Sequence, residues 1–377
     1  MKPYLVLLYP GPNYSPAATF NERLLELSKT FRGTLVCTAP SNQQLRLHGF
    51  DVIVVSREGG KIRTVLRLVS TLFRLGRFRR KYGGIDLVST YDPLRSGLLG
   101  VCLKYLSRAK LAVEVNGDYN DPANYRDVRS KSMARFKRHV YVAVESFVLG
   151  RADGIKLLYK DQINAFGIDE KSKVISVFAN RVSTDLFNIS SSQKYILTVG
   201  FPWQVKGIDI TVNAFKGISE KYPDWKLKIL GWYQDSAELE KIIDRHPKID
   251  LAAPVAHEKM PEVVGHCGVF VLASRTESMG RVLIEAMAAG KARIGTRVGG
   301  IPTVIDHMRD GIIVEPESAP ALSAAMDRLL GDSNLRETLG RNAKARLDQE
   351  FTKDAYYGNL LSFYNEVLTY FPSRADS

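Results

Sequence analysis

The chain has 377 residues, of which 45% are hydrophobic and 25% charged, with a formal net charge of +13. These values exclude a disordered chain and a disulfide-stapled miniature, and the length suits two domains. Cys37, Cys102 and Cys267 are too few and too scattered for a disulfide framework or a Cys/His metal cluster, which points to a reducing compartment.

The first apolar run, Tyr4–Tyr9, stops at Pro10-Gly11-Pro12. It is too short for a membrane span or a secretory signal and reads as a buried strand ending in a turn, so the expected location is the cytoplasm. Further strands are expected at Thr34–Thr38, Asp51–Ser56, Leu87–Thr90, Leu111–Val115, Gly154–Leu158 and Val174–Val177. Between them, Lys61–Lys81 holds eight basic residues and no acid. There Ile62, Val65, Leu66, Val69, Leu72 and Phe73 recur at helical spacing, which predicts an amphipathic basic helix. Its apolar stripe is expected to pack on a sheet. Its charges, Arg63, Arg67, Arg74, Arg77, Arg79, Arg80 and Lys81, are expected to face an anionic membrane. A second basic segment holds Arg126, Arg129, Lys131, Arg135, Lys137 and Arg138.

The charge is uneven: residues 1–180 carry +14 and residues 181–377 carry −1. An anionic partner for the first half follows, with a merely solvated basic face as the plainer alternative. Nucleic acid is not the expected partner, because only Phe73 and Phe78 stand among the basic residues of 61–81.

The second half repeats the alternation, with strands at Tyr195–Val199, Lys226–Leu230, Ile249–Leu251, Val269–Leu272, Ala292–Thr296 and Gly311–Val314. Amphipathic stretches such as Ile208–Lys221 and Ala237–Arg245 lie between them. Strands alternating with helices predict parallel sheets covered on both faces, here two doubly wound α/β domains with a ligand cleft at the carboxyl ends of the strands. The boundary is expected near Ser190-Ser-Ser-Gln193. A last helix over Asp354–Phe371 places Tyr356, Leu360, Leu361, Tyr364, Val367 and Leu368 on a face that needs burial.

Four features of the second half carry chemistry. A strand ending at Gly200 leads through Lys206-Gly207 into a helix, which brings an ammonium and amide groups to one place; alone, an ordinary strand-to-helix turn explains it as well. The strand Val269–Leu272 is followed by Ser274-Arg-Thr-Glu277-Ser-Met-Gly280 and a helix to about Ala289. Glu277 then lies in the loop and Glu285 within the helix, while the amides of Ser278, Met279 and Gly280 point at an anion over the dipole. A molecule with hydroxyls at both ends and a diphosphate between them suits that array; two glutamates in isolation would be a cap and an exposed helical residue. Gly290 closes the helix, and Arg297-Val-Gly299-Gly300-Ile-Pro302 and Gly311-Ile-Ile-Val-Glu-Pro316 follow.

In this order the segments resemble the retaining GT-B-fold glycosyltransferases of family 4, the glycosyl transferases group 1. The motifs that carry the resemblance are Glu-x7-Glu, here Glu277 to Glu285, then Glu285-Ala-Met-Ala-Ala-Gly290, then Gly299-Gly-Ile-Pro302. Asn180, Val182 and Phe187 echo the family's domain crossover, and the likeness covers nearly the whole chain. It implies two Rossmann-like domains facing a central cleft: an acceptor domain at 1–188, a donor domain at 189–352, and a helix in 353–377 returning to the first.

The resemblance also implies roles. Glu277 would meet donor-sugar hydroxyls, Glu285 the nucleotide ribose, and Lys206 the charge on the departing diphosphate. Catalysis would fall to Lys206, Glu277 and Asn116. Donor binding would fall to Gly200, Lys206, Glu277, Ser278, Met279, Gly280, Val282, Glu285 and Val255, with the base near Leu230–Tyr233 and Pro254–Ala256. The acceptor side would hold Gly11, Asn13, Ser15, Asn116 and Asp118. No metal is expected, because the sequence lacks Asp-x-Asp, and no cofactor beyond a nucleotide-sugar co-substrate, a UDP-sugar first among them.

Three departures stand out. Phe201 occupies the place of a diphosphate-binding arginine, with Arg181, Arg275 and Arg281 as candidate substitutes. Asn116-Gly117 stands where the family has His-Gly, and Pro10-Gly-Pro-Asn-Tyr-Ser-Pro16 replaces a glycine-rich acceptor loop. The expected acceptor is a lipid-linked saccharide at the inner face of the cell membrane, in surface-polysaccharide or glycolipid assembly. The rival readings are a weakened enzyme of this class, a related epimerase or phosphorylase, and a non-enzymatic polyanion-binding module.

Overall fold

The computed structural model describes all residues except 12–13, 126–127, 129, 188–191, 232–236 and 371–377, and gives only the backbone of 78, 80–82, 123–124 and 257. The chain forms two compact units. One comprises Met1–Asn120, Val128–Phe178 and Tyr356–Ser377, the other Asp121–Asp127 and Ala179–Ala355. The boundary expected at 188/189 lies outside the described residues.

The first unit is built on β1 (Tyr4–Tyr9), β2 (Arg32–Ala39), β3 (Gln43–Leu47), β4 (Phe50–Ser56), β5 (Leu87–Thr90), β6 (Lys110–Glu114), β7 (Gly154–Leu157) and β8 (Val174–Val177), in the order β3-β4-β2-β1-β5-β6-β7-β8. All neighbours run parallel except β3, which lies antiparallel to β4. β1 is buried throughout, as a continuous apolar run at the centre of a two-sided sheet must be. The helices Pro16–Ser28 and Lys353–Thr369 contribute to the core on one face, and Gly60–Tyr82, Arg95–Ser107 and Lys131–Arg151 to that on the other. The last helix buries Leu360, Phe363, Tyr364 and Val367. It comes so close to β7 that a side chain at Gly154 would meet Val367 and Phe363.

A charged pair is buried under that helix. Arg23 binds Glu114, the Tyr356 and Tyr364 hydroxyls stand 3.2 and 3.1 Å from the Arg23 guanidinium, and Tyr364 also meets Ser89 at 2.7 Å. Hydrogen bonds of this kind are what make a buried pair tolerable.

The helix Gly60–Tyr82 forms as expected, but its apolar stripe does not pack as expected. Leu68, Leu72 and Leu75, at i, i+4 and i+7, enter the core, while Ile62, Val65, Leu66, Val69 and Phe73 are left in solvent. The contact face is therefore narrower than the stripe. Its cations divide as well. Arg63, Arg74 and Arg77 are exposed, whereas Arg67 donates to the Ser56 and Glu58 carbonyls. Arg79 turns inward, its guanidinium 3.6 Å from the centroid of the Tyr4 ring. The side chains of Arg80 and Lys81 lie outside the described set.

The second unit holds β9 (Tyr195–Val199), β10 (Lys226–Leu230), β11 (Ile249–Ala252), β12 (Val269–Leu272), β13 (Ala292–Thr296) and β14 (Ile312–Val314) in the order β11-β10-β9-β12-β13-β14, all parallel. Numbered from β9, that order is 3-2-1-4-5-6, the doubly wound arrangement in which ligands bind outside the carboxyl ends of the strands where the winding reverses. Here the reversal lies between β9 and β12. Among the described residues, no helix is long and apolar enough to cross a membrane.

Candidate functional site

The loops leaving β9 and β12 are stitched together at the reversal point of the second sheet. Gly200 leaves β9 at φ +147, and Gly207, at φ +61, sits so close to the Ala273 carbonyl that a Cβ has no room there. The Arg275 amide donates to the Val205 carbonyl at 2.8 Å. The Arg275 guanidinium grips both oxygens of Asp209 at 2.8 and 2.7 Å and reaches Glu317 at 2.6 Å. The Asp209 hydrogen bond leads in pushing the Arg275 pKa upward, so its charge is permanent and already spent on the scaffold.

Within this frame Lys206 Nζ lies 2.6 Å from Glu277 Oε2, and Ser274 Oγ donates to the same oxygen at 3.3 Å. The two charged side chains keep 22% and 14% of their surface exposed, enough to reach a ligand but too little for free rotation.

Gly280, at φ +77, opens the helix Arg281–Ala288. Glu285 lies in that helix with its side chain only 5% exposed and accepts from Arg281 at 3.1 Å. The paired glycines lie against the Glu277–Met279 backbone. A side chain on Gly299 would strike the Glu277 carbonyl, one on Gly300 the Ser278 carbonyl, and the Gly300 amide donates to Glu277 O at 3.2 Å. Met279 is buried, and its sulfur accepts from the Asn180 amide at 3.2 Å.

Gly200, Lys206, Glu277, Ser278, Met279, Gly280 and Glu285 thus come together, with Val282 half-buried in the first turn of the helix. Val255 follows β11, two strands away from β9, and Leu230 ends β10, next to β9; residues 232 and 233 lie outside the described set. Ser274 and Asp209 were not singled out from the sequence, because no spacing marks a second-row partner. Of the candidate substitutes for the missing arginine, Arg275 is held by Asp209, Arg281 by Glu285, and Arg181 donates to the Val182 carbonyl.

The remaining candidates lie in the first unit. Gly11 follows β1, and its carbonyl accepts from Thr38 Oγ1 at 2.8 Å. Ser15 caps the helix Pro16–Ser28 in position, without a side-chain cap bond. Asn116 Nδ2 donates to the Tyr91 carbonyl at 2.6 Å, and Asp118 accepts from the Asn120 amide at 2.9 Å. Asn13 lies outside the described residues. Burial pushes the Glu145 carboxyl up to about 8, with the Asp118 charge adding to the shift. Among the described residues, no group of three or more His, Cys, Asp or Glu side chains is placed to hold a metal ion.

Two doubly wound parallel-sheet units of this kind define the GT-B class of folds. HepE of Anabaena in complex with UDP-glucose superposes with a TM-score of 0.69 at 16% identity, over 96% of this chain and 99% of that one. Residues 184–346 match the family model described as Glycosyl transferases group 1. An uncharacterized glycosyltransferase of Methanocaldococcus jannaschii is 24% identical over 78% of this chain and 77% of its own length. The capsular polysaccharide biosynthesis glycosyltransferase CapM of Staphylococcus aureus is 24% identical over 75% of this chain and 77% of its own length. Other relatives match over about half of their length. Each of these is a likeness in sequence or in fold.

Proposed function

We propose that the chain is a retaining, metal-independent glycosyltransferase that moves a sugar from a nucleoside-diphosphate sugar to a membrane-bound, lipid-linked saccharide. The observation that carries this reading is the Lys206–Glu277 pair at the reversal point of the second sheet. Glu277 presents a carboxylate to sugar hydroxyls, Lys206 an ammonium to the diphosphate, and the mouth of the helix at Gly280 its amide dipoles to the same anion. Glu285, on that helix, is the group for the ribose hydroxyls. The solved complexes of HepE with UDP and UDP-glucose, which share the fold, favour a uridine donor.

Charge develops on the diphosphate as the bond from its oxygen to the anomeric carbon breaks, and a pre-placed ammonium stabilises it without reorganisation. The acceptor hydroxyl oxygen bonds to the anomeric carbon on the same face, and its proton passes to the departing phosphate oxygen. No side-chain nucleophile is required. Lys206 and the helix amides supply the positive charge that a divalent ion supplies elsewhere. The capsular relative points to polysaccharide assembly, and the exposed apolar and basic residues of Gly60–Tyr82 suit the surface of the inner leaflet.

The test is a thermal-shift panel of UDP-, GDP- and ADP-sugars with and without added magnesium, followed by nucleotide release in the presence of a lipid-linked acceptor. A ligand at one hundred times its Kd adds about 2.7 kcal/mol of stability. A flat response to every nucleotide, or a response only with the metal, would overturn the reading.

A further inference from the structure

Between the first turns of the helices Gly60–Tyr82 and Arg95–Ser107, at the carboxyl ends of β1, β2 and β4, lies a cavity of about 610 Å³. That volume is within the range of small-ligand sites, about 300–1,000 Å³. Its walls are apolar, formed by Val65, Leu68, Val69, Leu98 and Leu99. Arg57, Lys61 and Arg95 also line it, all three exposed, and among the described residues no carboxylate does. The apolar surface continues out of the cavity along the same helix over Ile62, Leu66 and Phe73, which are 79%, 63% and 49% exposed.

We infer that this cavity binds a single-chain lipid phosphate, with the phosphate at Arg57, Lys61 and Arg95 and the first carbons of the chain against Val65, Val69 and Leu98. The inference rests on the lipid-linked acceptor proposed above and assigns its anchoring part to a place. Three cations without a balancing acid call for an anion. The Thr38 and Thr64 hydroxyls in the lining already donate to the Gly11 and Gly60 carbonyls, so what lies beside the cations is chiefly aliphatic carbon, which suits a hydrocarbon chain better than the hydroxyls of a nucleotide or free sugar phosphate. The exposed strip over Leu66 and Phe73 gives the rest of the chain a path outward. Gly11, at the end of β1, lines the same cavity, so the bound head group would adjoin the loop expected to hold the acceptor.

Cys102 lines the cavity and is exposed, while Cys37 and Cys267 are buried, so one thiol of the folded protein reports on occupancy. Farnesyl phosphate below its aggregation threshold should slow alkylation of Cys102 by N-ethylmaleimide at least about ten-fold, and farnesol should need about ten-fold more to match it, a difference of about 1.4 kcal/mol. In the triple variant Arg57→Gln, Lys61→Gln, Arg95→Gln, farnesyl phosphate should fall to the potency of farnesol. Equal potency of the two in the unaltered protein, protection by inorganic phosphate alone, protection only by anionic vesicles, or no protection would each overturn the assignment. The assay uses no donor. Its failure with the nucleotide thermal shift intact would remove the cavity alone, and a missing thermal shift with Cys102 protected would remove the transferase reading alone.

Discussion

Lys206 Nζ and Glu277 Oε2 stand 2.6 Å apart, although one side chain belongs to the loop after β9 and the other to the loop after β12. Each holds the other in position before any ligand arrives. Replacing Lys206 by methionine keeps the length of the side chain and removes its charge, so kcat should fall about 10²–10³-fold while the protein stays folded. Glu277→Gln, which keeps hydrogen-bonding capacity, should cost less and raise KM for the donor. Nucleotide release measured beside thermal melts separates the two effects; an unchanged kcat in folded Lys206→Met contradicts the assigned role.

Gly299 has φ +48 and lies against the Glu277 carbonyl. Gly299→Ala combines backbone strain with a collision and should cost about 1–3 kcal/mol while abolishing the donor-induced thermal shift. Gly49 is the control: it has φ +84 with nothing near its absent Cβ. Gly49→Ala should therefore show strain alone and leave donor binding intact.

Arg275 and Asp209 tie the loop after β12 to the first turn of the helix Ile208–Lys216, which follows the loop after β9. A double-mutant cycle with Arg275→Ala and Asp209→Ala should return a coupling of about 1–3 kcal/mol in urea-derived stability. Arg275→Lys should recover little, since an ammonium lacks the planar fork that matches a carboxylate. Additive losses would mean that the pair does not act as a unit.

Burial pushes the Glu145 carboxyl up to about 8 from an ordinary value of 4.5. Between those values the unfolded chain has released a proton that the folded chain keeps. Stability should therefore decline as pH rises from about 4.5 to 8, by no more than about 1.4 kcal/mol per pH unit from this group. Glu145→Gln mimics the protonated form and should remove that contribution, so urea titrations of the two proteins should diverge toward pH 8. Parallel profiles would show that Glu145 ionises normally.

Leu66 and Phe73 sit in solvent on the basic helix. Sedimentation with anionic vesicles should recover the protein at low salt and release it as salt screens the charges. Leu66→Ser with Phe73→Ser should weaken the binding about ten-fold or more, since burying a large apolar side chain is worth roughly 1.5–3 kcal/mol. Equal failure to bind anionic and neutral vesicles would remove the membrane from the proposal.

Period and punctuation made most of the strands legible, because long apolar runs ending in Gly or Pro have few other meanings. β3 escaped notice because Gln43-Gln-Leu-Arg-Leu47 is an exposed edge strand with little apolar signal. On the helix Gly60–Tyr82, periodicity identified an apolar stripe but not which part of it would be covered, since Leu68 and Leu72 differ from Val65 and Val69 only in angle around the axis. The Glu277 loop and its glycines were legible as a motif. Its brace, Asp209 against Arg275, was not, and neither was the pair of Arg23 and Glu114, because partners brought together by folding leave no mark on local spacing.

That last pair orders events during synthesis. Arg23 and Glu114 are translated early, yet the hydroxyls that add to their bonding come from Tyr356 and Tyr364. Every residue of the second unit precedes Tyr356. On the ribosome, then, the unit translated later has all its parts first, while the unit begun first waits with part of one sheet face, beside the helix Pro16–Ser28, uncovered until the helix Lys353–Thr369 emerges. A stop codon ahead of residue 356 would strand the early half with part of that face open and the charge pair without its tyrosine hydroxyls, leaving it a substrate for chaperones and proteases.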